Sequence, residues 1–441
     1  VRGCPGQAPG GYDAARNANV NGGSEGVVRR LKVLLVGTGT VGEAIAKISR
    51  GKPWLERMVL ADYNLDRARE VQAMLGDGAE STFPAEFVDA SDVASVVRLA
   101  REHEVDLVMN AADPRFVPSL FDAAFQAGSD YMDMAVSLSE PDPTDPFRRP
   151  GVLLGDYQFP KHDAWRSAGR LALLGMGMDP GLTDVFARHA ADELFDEIDE
   201  VHIRDGGDLY IEGYDFAPVF SIWTTIEECL NPPLIWEKER GFYTTEPFSA
   251  PESFVFPDGI GPVECVNVEH EEVVLVPRGI DAKKVTFKYA LGADFIEVLK
   301  TLHRLGLDST RPVRVKGVEV APRDVVAAAL PDPARVGERM KGRAIVGTWV
   351  IGRRDGKPRE VYLYQKTVGE ETWRDSQLQA VAWQTGFNPV VAMELLASGA
   401  WSATGVLGPE AFAARPFLDT LDRWGIHWAA EEREPGANLP T

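Results

Sequence analysis

The stretch "KVLLVGTGTVGEAIAKISRGKPWLERMVLADYN", Lys32 to Asn64, constrains the fold more than any other part of the chain. Val33 to Val36 is an unbroken apolar run, the pattern of a parallel strand buried on both faces. Gly37, Gly39 and Gly42 follow in G-x-G-x-x-G spacing. The helix that begins in this turn places Val41, Ala44, Ile45 and Ile48 on one face, and Gly51 and Pro53 stop it. A second strand, "RMVLADY", carries Asp62 twenty positions after Gly42. Gly37 permits a tight turn, Gly39 lets backbone approach a pyrophosphate, and Gly42 lets helix pack on strand. The helix start around Thr40 and Val41 offers free N–H groups and a positive dipole end to phosphate. Asp62 is placed to accept from the ribose hydroxyls of a dinucleotide. Its charge opposes a 2′-phosphate, so NAD is the expected cofactor. NADP is the alternative, because Arg67 and Arg69 lie close, although both are expected on the exposed face of the next helix. The competing reading is a glycine turn that binds nothing, with Asp62 a solvated acid at a strand end.

The alternation of strand and helix continues to about residue 180. Strands are expected near Asp89, at "VDLVMNAAD" and at "SDYMDMAV", with helices "DVASVVRLAREH" and "VPSLFDAAFQAG" between them. Ligands of doubly wound sheets bind beyond the carboxyl ends of strands, so Asp89, Asn110, Ala111, Ala112 and the segment Asp133 to Val136 are expected at a cofactor cleft. Residues 138–162 carry five prolines and read as a long surface connection. A second glycine-rich junction, "GMGMDPG", leads into a helix with Leu182, Val185, Phe186, His189 and Ala190 inward; His189 is expected to be packed. Asp179 at that junction is either a helix cap or a carboxylate held anionic by the dipole.

After about residue 197 the pattern becomes β-rich, through "EIDEVHIRDGGD", "GPVECVNVEHEEVVLV" and "DAKKVTFKYAL". "RAIVGTWVIGRRDGKPREVYLYQKTV" alternates on either side of Asp355-Gly356, a hairpin signal. Helices are expected at 293–305 and 322–330. The fold class is therefore α/β: a Rossmann dinucleotide-binding domain over 31–180, and a substrate-binding α+β domain on a mixed or antiparallel sheet over 181–385. A C-terminal return over 386–430, including "GFNPVVAMELLASGAW", would complete the first domain. Residues 1–30, rich in Gly, Asn and Ala, read as a flexible tail.

Forty-six basic against 67 acidic residues leave a net charge of −21, which repels nucleic acid and anionic lipid and points to a small-molecule substrate. No apolar run approaches the roughly 18 residues of a membrane span, and no signal peptide opens the chain. Cys4, Cys229 and Cys265 have neither zinc spacing nor an even count, which fits a reducing cytoplasm. No metal-ligand spacing occurs, so no metal is expected. A homodimer is the default assembly.

The motifs "GTGTVG", "DLVMNAA", "SDYMDMAVS", "GMGMDPG", "GRAIVGTWVIGRRDGKPREVYLYQ" and "GVLGPEAF" together resemble the saccharopine dehydrogenase family over residues 31 to 430. Within it, "LPDPARV" and "FDEIDE" resemble carboxynorspermidine dehydrogenases, while "VLADYN" is similar to the NAD-using lysine 6-dehydrogenase branch. The resemblance implies hydride transfer between nicotinamide C4 and a carbon bonded to nitrogen, in an amine or imine derived from an amino acid. A dinucleotide-sensing protein without turnover is the rival of another class. By resemblance, Asp133, Met134 and Ala135, with Met178, Asp179 and Pro180, face cofactor and substrate. Met134, Met178 and Pro180 fall to the cofactor, and Asp133, Ala135 and Asp179 to the substrate. Asp179 is the first choice to pair the substrate nitrogen and relay a proton. His270, flanked by acids that would keep it charged, is either a second catalytic group or a strand-edge histidine in a solvated acidic patch. Saccharopine-forming members clamp a substrate carboxylate with an arginine in "F/Y-x-x-S-W-S-S-R-G". Here Trp223 stands near that point, with no base between Tyr214 and Cys229. Either Arg204 or Lys288 takes over, or the substrate lacks that carboxylate. Trp223 is then a pocket wall for a cationic arm, or simply a core aromatic.

Overall fold

A computed structural model describes residues 29–436, so the tail expected over 1–30 lies, apart from Arg29 and Arg30, outside the described residues, as does Cys4. Seven parallel strands form the first sheet, in the order Gly405–Leu407, Leu171–Leu173, Asp130–Met132, Leu107–Asn110, Leu31–Val36, Leu55–Asp62, Ala85–Phe87. The apolar run Val33–Val36 is central and buried on both faces. Chain order reverses on either side of it, so Leu31–Val36 pairs with Leu55–Asp62 on one edge and with Leu107–Asn110 on the other. That reversal opens a crevice at the carboxyl ends of the strands. Gly128, in the left-handed region at φ 80°, closes the helix Val117–Ala127.

The second sheet is mixed. Its spine is Gly241–Thr244, Leu234–Glu237, Ala282–Tyr289, Glu197–Gly207, Arg343–Arg354, Lys357–Val368 and Trp428–Arg433. The hairpin expected at Asp355-Gly356 is present, with Arg354 opposite Lys357 and both turn residues at positive φ, 52° and 72°. This is the type I′ geometry that matches strand twist. Ala282–Tyr289 runs parallel to Glu197–Gly207 in a register that sets Tyr289 beside Asp205. The helices expected at 293–305 and 322–330 are Ala293–Arg304 and Pro322–Ala329.

One expectation fails here. "EEVVLV" is not β structure: Glu272–Gly279 is a helix, packed on the helix Leu182–His189 and the strand Ala282–Tyr289. Glu272 to Val276 are all buried, and an apolar run buried all round carries no period that separates helix from strand. His270 therefore sits in the connection before a helix, not on a strand edge.

The C-terminal part returns to the first sheet and then leaves it. The helix Ala380–Ser398 packs on Thr40–Ser49, the helix that opens the glycine turn. Gly405–Leu407 then joins the edge beside Leu171–Leu173, and Trp428–Arg433 closes on the second sheet. The helix contact is close at Gly386, where an added Cβ would stand 2.8 Å from Ala44 Cβ. Gly386→Leu is expected to destabilise the fold by about 1–3 kcal/mol in denaturant unfolding, since the clash falls on a packed side chain that cannot swing away.

Candidate active site

A cleft of about 430 Å³ lies where the carboxyl ends of the first sheet face the second. Gly39, Thr40, Val41, Asn110, Ala111, Ala112, Met134 and Pro180 line one side of it. The three glycines do different work. At Gly37 (φ 96°) a Cβ would stand 2.6 Å from Ala111 O, and at Gly42 it would stand 2.0 Å from Gly37 O. At Gly39 nothing lies within 4 Å. The turn is thus closed hard against its neighbours and open at its middle glycine. Thr40–Ser49 has no side-chain cap, so its first-turn amides are left for a ligand. A diphosphate fits this arrangement, and the bound nicotinamide supplies the hydride. Asn110 holds the neighbouring loop: its Oδ1 accepts from Ala112 N–H at 3.0 Å and its Nδ2 donates to the Tyr131 hydroxyl.

Asp62 ends its strand as expected, but its carboxylate is already occupied. Oδ2 accepts from Thr38 N–H (2.7 Å) and Thr38 Oγ1 (2.9 Å), and Oδ1 accepts from Asn64 N–H (2.8 Å). About one of its four lone-pair sites remains for a ribose hydroxyl. Arg67 is not on an exposed face: its Nε donates to Thr38 O at 2.9 Å while Glu43 and Glu70 hold its guanidinium. Arg69 is exposed. Asp89 is not among the residues lining the cleft; its Oδ1 accepts from Ser91 N–H and Oγ, shaping the turn before the next helix. Met178 lies in the core against a neighbouring cavity rather than at the cofactor side.

The opposite side of the cleft is acidic. Asp133, Ala135, Asp179, Trp223 and His270 reach it as expected, joined by Asp205, Glu228, Glu271 and Tyr289. Asp133 is committed to the scaffold, accepting from Gly175 N–H (2.7 Å) and Gln158 Nε2 (2.8 Å), and burial pushes its carboxyl up to about 7. Asp179 does not cap its helix; Gly181 N–H donates instead to Asp184 Oδ2 at 2.9 Å. Burial, then the nearby Asp205, holds the Asp179 carboxyl well above its ordinary range, the reverse of an acid stabilised by a dipole. Asp205 shares hydrogen bonds with Asp179 and Tyr289, and burial pushes it up to about 7. Burial raises Glu228 to about 8, with Glu271 and Asp205 adding to the shift. His270 stacks on Phe287 at 3.8 Å and 6°, its Nδ1 2.6 Å from Glu272 Oε2. Burial alone would lower its pKa, but Glu272, Glu271 and Glu228 outweigh that and hold it well above the ordinary value.

Trp223 is both a buried side chain, 6% exposed, and a wall of the cleft. The guanidinium groups of Arg115 and Arg323 already stand over its ring, at 4.3 and 4.6 Å, so the indole is not waiting for a substrate ammonium. Neither proposed substitute clamp is available. Arg204 Nε and Lys288 Nζ each bond Glu252 at 2.5 Å, and neither lines the cleft. His270 is the one basic side chain among the described residues lining it. His189 is packed, edge-on to Trp428. Among the described residues no group of His, Cys, Asp and Glu is placed to hold a metal ion, and no helix is long and apolar enough to cross a membrane.

Asp205, Glu228 and Tyr289 were not singled out from sequence. Asp205 and Tyr289 meet because two parallel strands, far apart in the chain, end in register. The available signal was local: Asp205 directly precedes Gly206-Gly207, and Tyr289 stands three residues before Gly292.

A glycine turn fitted to a dinucleotide and a cleft lined with titratable groups define an NAD(P)-dependent oxidoreductase of Rossmann type. The chain belongs to the saccharopine dehydrogenase family: residues 33–173 match the saccharopine dehydrogenase NADP binding domain and residues 177–426 the saccharopine dehydrogenase C-terminal domain. Its chemistry is that of the family, an NAD(P)-linked dehydrogenase acting on amine and imine substrates. Carboxynorspermidine synthase of Vibrio cholerae is 30% identical over 416 residues, covering 92% of this chain and 98% of that protein. Carboxyaminopropylagmatine dehydrogenase of Synechocystis is 27% identical over 402 residues, covering 90% of this chain and 96% of that one. The apo saccharopine dehydrogenase (L-Glu forming) of Saccharomyces cerevisiae shares the fold, with a TM-score of 0.64 at 14% identity over 92% of this chain and 100% of that chain.

Glu228 yields a stability prediction. An acid raised from its ordinary 4.5 to about 8 on folding binds an extra proton in the folded state across that window. Folding stability therefore falls as pH rises through it. Glu228→Gln is expected to raise the melting temperature of the ligand-free protein at pH 8, by on the order of 2 °C, and to change it little at pH 4.5. Calorimetric melting at the two pH values checks this.

Proposed function

We propose that this protein reduces the imine formed between an aldehyde and the terminal nitrogen of a di- or polyamine, giving a carboxylated secondary amine. The observation that carries the reading is the convergence of Asp179, Asp205, Glu228 and Glu271 on the substrate side of a cleft whose described lining contains no Lys or Arg. Such a site favours a substrate bearing more than one positive charge. The names of the two relatives point the same way, each denoting a polyamine-like chain with a carboxyl group.

The reaction balances as R–CHO + R′–NH₂ → R–CH=N–R′ + H₂O, followed by addition of one hydride and one proton to give R–CH₂–NH–R′. The imine accepts hydride readily only when its nitrogen is protonated. The Asp179–Asp205 pair, joined by a hydrogen bond, holds a proton at neutral pH and stands at the cleft between cofactor and substrate sides. It gives that proton to the imine nitrogen and, as a carboxylate, stabilises the iminium. Tyr289 fixes Asp205 by a hydrogen bond from the adjoining strand. His270, paired with Glu272, keeps the surrounding acids from repelling one another. Asp62 and Arg67 set the adenosine end; with Asp62 held by local donors and Arg67 drawn over Thr38, NAD and NADP are both accommodated.

Asp179→Asn is expected to lower kcat/KM for the amine by about 100-fold or more while leaving NAD(P)H affinity nearly unchanged. Absorbance of the reduced cofactor and fluorescence titration measure the two quantities. In the wild type, kcat/KM for the amine is expected to fall as pH drops through about 7, where Asp205 takes up its proton and the site loses a charge that attracts the substrate. Unchanged turnover in Asp179→Asn, or a rate that rises into acid, contradicts the assignment.

A further inference from the structure

A second cavity of about 480 Å³ adjoins the cleft. The two share eight lining residues, Asp179, Asp205 and Tyr289 among them, so the acid pair borders both. Tyr210, 57% exposed, is one of the second cavity's lining residues. Phe216 and Phe295 stack at 5.0 Å and 23° to form an aromatic wall. Asp215 and Asp294, both exposed, line the same cavity, and neither side chain is hydrogen-bonded or ion-paired to any described residue. No Lys, Arg or His is among the described residues lining the cavity. The guanidinium of Arg339, itself not a lining residue, stands 5.7 Å over the ring of the lining residue Tyr214.

Aromatic faces together with unpaired carboxylates recognise organic cations, since ring quadrupoles and carboxylates both attract an ammonium or guanidinium, and the apolar walls suit the methylene chain between charges. We propose that this second cavity is the amine-arm site: a di- or polyamine enters through it, presents its reacting nitrogen at Asp179, and rests its distal cation among Tyr210, Phe216 and Phe295 beside Asp215 and Asp294. The inference rests on the imine-reductase reading and adds which part of the substrate occupies which cavity. Aldehyde and dinucleotide then share the first cleft, while the amine arm lies in the adjoining cavity. Asp294 also lies in the first turn of the helix Ala293–Arg304, where a negative charge is favourable for the helix alone, so stability must be measured alongside binding.

Calorimetric titration of the full chain with propylamine, 1,3-diaminopropane and spermidine tests the site without requiring turnover. The wild type is compared with Asp215→Asn/Asp294→Asn at low salt, and melting temperatures are taken for both. The expected result is that the double substitution weakens spermidine about 10-fold while propylamine changes by less than about 2-fold. A spermidine affinity changed less than 2-fold overturns the proposal. So does an equal loss for propylamine, which would mark a general field effect. The same proteins assayed for NAD(P)H oxidation with an aldehyde keep the two readings apart. Charge-selective loss of spermidine binding without turnover by any amine sinks the imine-reductase reading and leaves a cation site. Turnover insensitive to the distal charge and to both substitutions leaves the reductase and removes the second site.

Discussion

The feature on which the rest of the structure depends is a collection of carboxyl groups brought together without enough cations to neutralise them. Asp179, Asp205, Glu228 and Glu271 open on one wall, and His270 is the only basic side chain among the described residues of the lining. Like charges in a partly desolvated cleft cannot all ionise, so protons are retained near neutral pH where isolated acids would have lost them. That state costs folding stability. It persists because the elements that carry the acids are fixed for other reasons: a strand register for Asp205, a helix for Glu228, and a glycine-rich junction for Asp179. Function is then a matter of what relieves the strain, and an organic cation does so directly.

The two sheets divide the work. The first supplies a turn in which two glycines are enforced by contacts under 3 Å and the third is open, so backbone amides face outward and nothing blocks them. Of the acids, the second sheet supplies Asp205, the junction after the first sheet's Leu171–Leu173 supplies Asp179, and the helix Ile222–Leu230 supplies Glu228. The chain passes between the sheets more than once, and Ala380–Ser398 braces the helix that begins at the turn while its neighbour Gln379 lines the same cleft. The glycine turn and the cleft are thereby tied through a common helix.

Much of the backbone was legible in sequence because its signals are local. The glycine spacing, the apolar run before it and Asp355-Gly356 each specify a backbone conformation within a few residues, and each appears where expected. The acid at a fixed distance was also found, but its partners were not: Thr38 and Asn64 saturate most of Asp62, and no spacing rule announces that. The second half was less legible because its chemistry is assembled by register. Tyr289 and Asp205 are neighbours only because parallel strands end together. His270 was read with its flanking acids correctly in view, yet on the wrong element, since "EEVVLV" is buried on every side and forms a helix. Arg204 and Lys288 are plausible substitute clamps in the sequence, but Glu252 holds both.

The central claim is that the acidic wall exists to receive a cationic amine. Binding of such a ligand must lower the pKa values of the carboxyls it touches and expel protons from them. Titrating a diamine into the cofactor-loaded protein at pH 7, in buffers of differing ionisation enthalpy, measures that directly. Release of about one proton per amine bound is predicted; no release, or net uptake, contradicts the account.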